Sequence, residues 1–381
     1  MKTLKDIKSM KGKRALVRVD YNVPMKGNKI LDTRRIDTSF ATIRALQKKG
    51  MLVRLVAHLG DGKASLKPVA DYLSKHFKVE FVTGPITDSV ANPPSAHSGG
   101  GGPKGTVLLF ENIRKYEGEE NNDPKFAKTL SKLGDIYVNE AFSVSHRKHA
   151  SIVGVTKYLP SYAGLQLETE IKTLSKILTN KKHPFLFILG GAKFSTKMPL
   201  LDRFIKIADQ VVIAGAILNS FYKFRGFEVG KSVVEDGYDK QIKKLLSSPK
   251  LLLPIDAVVT RGDKKAFASI SEIQSLDVIE DIGPLSVKMI SKKIEKAQII
   301  VWNGPTGWYE KGFVGGTVAL AQAIKSSKAF AVIGGGDTAE VIQKVIGKSA
   351  GRRKNVFIST GGGATLGYLA DGVLVGVQCL K

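Results

Sequence analysis

Cysteine is almost absent. The 381-residue chain has one, Cys379, so no disulfide can close within it and no cysteine-rich zinc site is possible. Long apolar runs are absent as well. None approaches the roughly 20 residues that a membrane-spanning helix needs, and a stretch such as 211–218 ends too soon. The first 16 residues are basic but hold no continuous apolar core, so no secretory signal is expected. Together these absences lead to the expectation of a cytoplasmic protein with no membrane contact. Acidic residues are scarce beside basic ones, 34 against 59, which leaves a formal net charge of +25. Low-complexity sequence is confined to residues 91–105, with consecutive glycines at 99–102, and reads as a surface connection.

What is present is ordinary for a folded protein. Hydrophobic residues make up 43% and charged residues 24%, enough apolar material for sizeable cores and too much for a disordered chain. The length favours two domains. The positive excess points to anionic partners: nucleic acid, a membrane surface or phosphorylated small molecules. It is uneven, with 34 basic and 17 acidic side chains in residues 1–200, against 25 and 17 in residues 201–381. No zinc-finger spacing, aromatic-studded RNA-binding strand or basic-region heptad accompanies it. Nucleic-acid binding is therefore not expected, and a polyanion-binding protein is a second reading that rests on charge alone.

Short apolar runs alternate with helix-period segments from end to end. Strands are expected at 14–21, 52–59, 106–112, 135–141, 184–190, 210–215, 298–303, 329–334 and 355–360. Helices are expected at 35–49, 66–77, 124–133, 198–208, 284–296, 317–326 and 338–346. Such alternation means α/β architecture, with parallel sheets covered on both faces. Residues 165–179 carry apolar side chains at helical spacing (Leu165, Leu167, Ile171, Leu174, Leu178) and end in a polar stretch before a new buried strand. They read as a linking helix between two α/β halves.

Ligands of open α/β sheets bind beyond the carboxyl ends of the strands. In the second half, four strand ends are followed by glycine-rich turns, at 190–197 (GGAKFSTK), 303–307 (NGPTG), 334–338 (GGGDT) and 361–365 (GGGAT). Glycine lets backbone N–H groups approach phosphate oxygens, and a helix N-terminus adds favourable partial charge. Four such turns point to nucleotide phosphates. Asp337 would repel phosphate unless a cation lay between them, which a Mg²⁺ ion would solve; a simple helix cap is the alternative. The segment 226–232 (GFEVGKS) has three residues between its glycines where a P-loop has four, and is rejected. The segment 334–339 fits a loose dinucleotide pattern but lacks the acid about 20 residues on that holds a ribose, so a nicotinamide oxidoreductase is only a third reading. The first half places Arg18, Asp20, Asn22, His58, Arg114, His146 and Arg147 at or after strand ends, and Arg35 opens a helix. Arginine holds phosphate with paired donors and keeps its charge, so a small, multiply anionic substrate is expected there. His146 and His149 lack a third ligand, and no metal is expected at them.

With these segments in hand, the chain resembles the phosphoglycerate kinases along essentially its whole length. The motifs that carry the resemblance are 18–24 (RVDYNVP), 58–60 (HLG), 65–70 (SLKPVA), 111–114 (ENIR), 137–142 (YVNEAF), 146–151 (HRKHAS), 189–193 (LGGAK), 301–305 (VWNGP), 334–338 (GGGDT) and 359–364 (STGGGA). The resemblance implies reversible phosphoryl transfer between 1,3-bisphosphoglycerate and Mg-ADP, giving 3-phosphoglycerate and Mg-ATP. It implies two doubly wound parallel-sheet domains joined by a helix and facing a cleft. Residues 1–164, with a return at 373–381, would bind the triose phosphate; 165–183 would be the linking helix; 184–372 would bind the nucleotide. Arg18, Arg35, Arg114, Arg147, His58 and His146 would surround the triose phosphate, with Asp20 and Asn22 on its hydroxyl side. Lys193, Lys197, Gly215, Gly336 and Thr338 would meet the nucleotide, Asn303 and Glu310 its nucleoside side, and Asp337 the Mg²⁺. Arg35, Lys193 and the backbone of Gly362 and Gly363 would serve the transfer itself. No general base is needed, because the attacking oxygen is already ionised near neutral pH. The chain also departs from the family: Asp61 stands where an arginine is usual, Thr196 replaces an acid, and the turn after 210–213 reads Ala214-Gly215-Ala216. Asp61 is expected to turn to solvent or to pair with a cation such as Lys63.

Overall fold

The computed structural model describes residues 1–8, 10–86, 105–179, 182–346 and 355–380, with the side chains of Asp337 and Ile346 outside that description. The glycine-rich stretch at 91–104 lies outside the described residues. The chain forms two compact units, Met1–Ser175 with Asp371–Lys381, and Lys176–Ala370. The division falls inside the helix Leu165–Thr179.

The first unit is built on a six-stranded parallel sheet. Its strands are β1 (Arg14–Arg18), β4 (Leu52–Val56), β5 (Val79–Val82), β6 (Val107–Phe110), β7 (Ile136–Asn139) and β8 (Ser161–Ala163), in the order β5-β6-β4-β1-β7-β8. A two-stranded hairpin, β2 (Met25–Lys26) and β3 (Lys29–Ile30), lies apart from it. In β1 and β4 the last four residues are buried, as a sheet covered on both faces requires. Apolar side chains of β1 (Ala15, Val17), β4 (Val53, Leu55) and β7 (Ile136, Val138) share one core with Ile43 and Leu46 of the helix Phe40–Lys48. The chain builds β4, β5 and β6 on one side of β1, then β7 and β8 on the other. The carboxyl ends of β1, β4 and β7 therefore flank the reversal point, where such sheets bind ligands. The segment read as one helix, 35–49, is two: Arg34–Thr38 and Phe40–Lys48. Ser39 interrupts it by donating its hydroxyl to the Ile36 carbonyl, a bond that competes with the helix.

The second unit repeats the plan. Its strands are β9 (Phe185–Leu189), β10 (Gln210–Ile213), β11 (Leu251–Leu252), β15 (Ile299–Asn303), β16 (Phe330–Gly334) and β17 (Val356–Ile358), all parallel, in the order β11-β10-β9-β15-β16-β17. Its reversal point lies between β9 and β15. Between β11 and β15 the chain inserts a three-stranded antiparallel sheet, β13-β12-β14, from β12 (Asp256–Arg261), β13 (Lys264–Ser269) and β14 (Val278–Ile282). These strands are not legible as buried runs because only part of each is covered: β12 is buried over its first four residues, β14 over its last three, and β13, Lys-Lys-Ala-Phe-Ala-Ser, only at Ala268. Asp256 ties this sheet to the larger one. Its carboxylate accepts from the amides of Leu285 and Ser286 at 2.9 and 2.7 Å, at the start of the helix Pro284–Lys296. That helix in turn buries Ile290 and Ile294 in the core over β9 and β15. Among the described residues, no helix is long and apolar enough to cross a membrane.

Ile188, fully buried at the centre of β9, is packed in this core. Ile188→Ala is expected to lower the unfolding free energy of the second unit by about 2–5 kcal/mol. Denaturant titration measures it; a loss below about 1 kcal/mol would contradict the packing described.

Candidate active site

At the first reversal point a guanidinium is buried whole. Arg18, 1% exposed at the end of β1, donates from Nε to Ser151 Oγ at 2.9 Å and from Nη1 to the Val19 carbonyl at 2.6 Å. Its Nη2 lies 3.0 Å from His58 Nδ1. An arginine has donors only, so Nδ1 must accept and the ring hydrogen of His58 is left on Nε2. Behind Ser151 stands Glu119, fully buried, which accepts from the Ser151 hydroxyl at 2.6 Å and its amide at 2.9 Å. Burial pushes the Glu119 carboxyl up, against the pull of Arg18 and the Ser151 bonds. Burial, together with the charges of Arg18, Arg114 and Arg147 and with His149, holds His58 far below the ordinary histidine range. His146 is lowered by burial and Arg147, and His149 is pushed down to about 4, chiefly by burial and Arg18. The histidines are thus neutral at neutral pH, and arginine carries the positive charge.

The other expected residues of this half gather around the turn after β4. The Gly60 amide donates to Asn22 Oδ1 at 2.9 Å, and the Gly60 carbonyl accepts from Arg114 Nη1 at 2.5 Å. Arg35 reaches Asp20 Oδ1 at 3.4 Å and the Asn22 carbonyl at 3.1 Å. Asp20 keeps its second oxygen, Oδ2, buried and without a hydrogen-bond partner. His146 and Arg147 are exposed on the loop after β7, 3.5 Å apart. Asp61 turns to solvent and pairs with Lys63, 3.3 Å away, whose amide it also accepts. Glu119 and Ser151 went unnoticed in the sequence: an acid within the run Glu-Gly-Glu-Glu reads as solvated surface.

The second reversal point is made of backbone. A Cβ on Gly190 would overlap the carbonyl oxygens of Gly304 and Pro305, and one on Gly215 would overlap the Gly191 amide. Gly304 and Gly215 also take φ of +87° and +69°, which favour glycine. The turns after β9, β10 and β15 can therefore touch main chain to main chain. Beside them a cavity of about 270 Å³ is lined by Lys193, Lys197, Asn303, Gly335, Gly336 and Thr338, among others. Lys197 Nζ donates to Asn303 Oδ1 at 2.7 Å, and burial lowers its pKa to about 8. Asn303 Nδ2 and Thr338 Oγ1 are buried there without partners. The side chain of Asp337 lies outside the described residues; its backbone belongs to the helix Gly336–Ile346. Gly362 opens the helix Gly362–Asp371, and a Cβ there would lie 3.6 Å from the Gly335 Cα.

A second cavity, of about 280 Å³, shares Gly191, Ala192 and Pro305 with the first. Gly215 and Glu310 line it, with Tyr222, Val278, Glu280 and Trp308. Tyr222, Val278 and Glu280 were not singled out in the sequence, because β14 and the helix Ile217–Phe224 were not among the expected elements.

Comparison with known proteins reads the same way over the whole length. The phosphoglycerate kinase family model matches residues 4–372. The chain belongs to the phosphoglycerate kinase family. Phosphoglycerate kinases of Borreliella burgdorferi and Dictyoglomus turgidum are each 40% identical to it, over 100% of this chain and 99% of theirs. Among solved structures, the phosphoglycerate kinase of Coxiella burnetii matches with a TM-score of 0.83 at 33% identity, covering 99% of this chain and 98% of that one. That of Pyrococcus horikoshii matches with a TM-score of 0.85 at 29% identity, covering 100% and 98%. As a member of this family the chain is a kinase, a phosphotransferase.

The neutral histidines have a consequence for stability. Between pH 6.5 and about 4, the unfolded chain binds a proton at His149 that the folded kinase does not, so stability falls as pH falls through this window. His149→Gln removes that proton. Its stability should decline less steeply over the window, by up to about 1.4 kcal/mol per pH unit. Denaturant melts at several pH values read the slope, and an unchanged slope would mean that His149 charges in the folded protein.

Proposed function

We propose that this kinase transfers a phosphoryl group reversibly between the acyl phosphate of 1,3-bisphosphoglycerate and ADP, with the triose phosphate held by the first unit and the nucleotide by the second. The reading is supported most by the two unpaired donors, Asn303 Nδ2 and Thr338 Oγ1, buried in the cavity that Lys193 and Lys197 line. Donors left without acceptors in a basic, glycine-walled pocket suit phosphate oxygens. In the first unit, Arg35, Arg114 and Arg147 surround the triose phosphate, and Arg18 acts behind them by setting His58 to donate from Nε2. Asn22 and the unpaired Oδ2 of Asp20 face the substrate hydroxyl.

In the direction of ATP use, a carboxylate oxygen of 3-phosphoglycerate attacks the γ-phosphorus. The bond from that phosphorus to the β-bridging oxygen breaks, and ADP leaves with the electron pair. The attacking group is ionised already, so the site supplies position and charge, not a base. Arg35, Lys193 and the N–H groups of Gly362 and Gly363, at a helix N-terminus, stabilise the negative charge on the transferring group. Mg²⁺ arrives with the nucleotide as part of the substrate and neutralises phosphate charge. No cluster of three or more His, Cys, Asp or Glu among the described residues could hold a metal ion. A phosphate-borne Mg²⁺ needs only one or two carboxylates, and Asp337 is the one we give that role.

A turnover assay with 3-phosphoglycerate and Mg-ATP tests the reading directly, and absence of acyl phosphate product would end it. Lys193→Ala should lower kcat about 10²–10³-fold, more than it weakens nucleotide binding; undiminished turnover would remove Lys193 from the transfer.

The Asp61–Lys63 pair is exposed to solvent, so Asp61→Ala should change 3-phosphoglycerate affinity by less than about threefold. Arg147→Ala should weaken it roughly tenfold or more. Both are measured by titration at one ionic strength. Tenfold tighter binding by Asp61→Ala would show that the carboxylate faces the substrate.

A further inference from the structure

The second cavity of the nucleotide unit holds a carboxylate that the transfer chemistry does not use. Glu280, in β14, is 4% exposed and lines that cavity. Its Oε1 is committed: Thr260 Oγ1 donates to it at 3.0 Å, and the Lys311 ammonium stands 3.9 Å away. Its Oε2 is buried and has no hydrogen-bond partner. Other polar groups of the same wall are satisfied within the protein. Asp256 holds the start of the helix Pro284–Lys296, Asp281 accepts from the Gly316 amide and Thr306 Oγ1, and the Tyr222 hydroxyl donates to the Pro254 carbonyl. Among the described residues of this wall, Asn219 Oδ1, again an acceptor, is also buried without a partner. An apolar cavity with Leu218, Val233, Ala257 and Val278 in its walls thus offers acceptors and asks for a donor. An oxygen buried without one is costly unless a ligand supplies it.

The cavity's position limits what that ligand is. It shares Gly191, Ala192 and Pro305 with the phosphate pocket, so a nucleotide whose phosphates lie at the glycine turns would place its base here. This step rests on the nucleotide reading given above. We propose that Glu280 selects the base: its Oε2 accepts an N–H of the 6-amino group of adenine. With Oε1 engaged by Thr260, the carboxylate has one free oxygen and reads a single donor, not the adjacent pair of N–H groups that guanine presents. A 6-oxo purine would set a carbonyl oxygen against the carboxylate, which repels it. Thr260 and Lys311 keep the carboxylate in place from outside the cavity. Neither transferring group nor triose phosphate touches Glu280, so it acts on which nucleotide binds and not on the transfer.

Calorimetry on the intact chain tests this without any turnover. The probes are ADP, inosine diphosphate and the diphosphate of purine riboside, which lacks a 6-substituent. The wild type should bind ADP about ten- to a hundredfold more tightly than either analogue, the range for a hydrogen bond to a charged group. In Glu280→Leu the three should bind alike. Glu280→Gln preserves the shape; its amide can also donate to a 6-oxo group, so inosine diphosphate should recover there while purine riboside diphosphate does not. Equal binding of all three by the wild type, or a gap that survives in both variants, would overturn the role of Glu280 and leave the nucleotide reading standing. Failure of the wild type to bind any of the three would overturn both together.

Discussion

Main chain packed on main chain, with no room for a single Cβ, is the constraint around which the second unit is arranged. Gly190 lies against the carbonyls of Gly304 and Pro305, and Gly215 against Gly191. Those contacts bring the turns after β9, β10 and β15 together where the strand order reverses. Once they touch, everything nearby has a fixed place. Lys193 and Lys197 leave one turn, Asn303 ends β15 and bonds Lys197, and Thr338 lies in the first turn of the helix after β16. Two cavities open on either side of the shared residues. Side chains at the glycine positions would push the turns apart and separate the lysines from Asn303.

The first unit solves the opposite problem. On the proposed reading it presents positive charge to an anion, yet Arg18 and His58 at its strand ends are buried. Arg18 is buried, and its charge is met by Glu119 through Ser151, with nothing exposed to water. A buried pair of this kind is a poor source of stability. What it does achieve is orientation, because each atom in the series Glu119, Ser151, Arg18, His58 has one donor or acceptor role open to it. On the proposed reading, the anion would then meet an imidazole N–H of known direction and arginines that cannot lose their charge, and its binding would be independent of pH near neutrality.

Much of this was legible in the sequence, for identifiable reasons. The central strands of the parallel sheets read as apolar runs because both faces are buried, and β1, β4, β9, β15 and β16 each lie within the expected segments, whereas the shorter β5, β8 and β11 were not expected. Glycine-rich turns and arginines at strand ends were visible because their chemistry depends on residue type alone. The antiparallel sheet β12–β14 was not, since its partly covered strands mix Lys, Arg, Glu and Asp with apolar residues. Glu119, Glu280 and Ser151 act through burial and through partners distant in the chain, and no local pattern records either. Asp61 lay between these cases. A carboxylate two residues from a lysine in a tight loop has one obvious partner, and the pair forms.

The antiparallel sheet has a consequence for how such an enzyme can change. It supplies much of one wall of the second cavity, yet its strands stand outside the six-stranded sheet that carries the glycine-rich turns. Asp256 joins the two by accepting amides at one helix start. On the reading proposed above, base choice and phosphate handling are separable parts. Substitutions along β14 would then retune which nucleotide is taken while the glycine-rich turns stay as they are, so the molecule could change its nucleotide preference without passing through a form that has lost its chemistry.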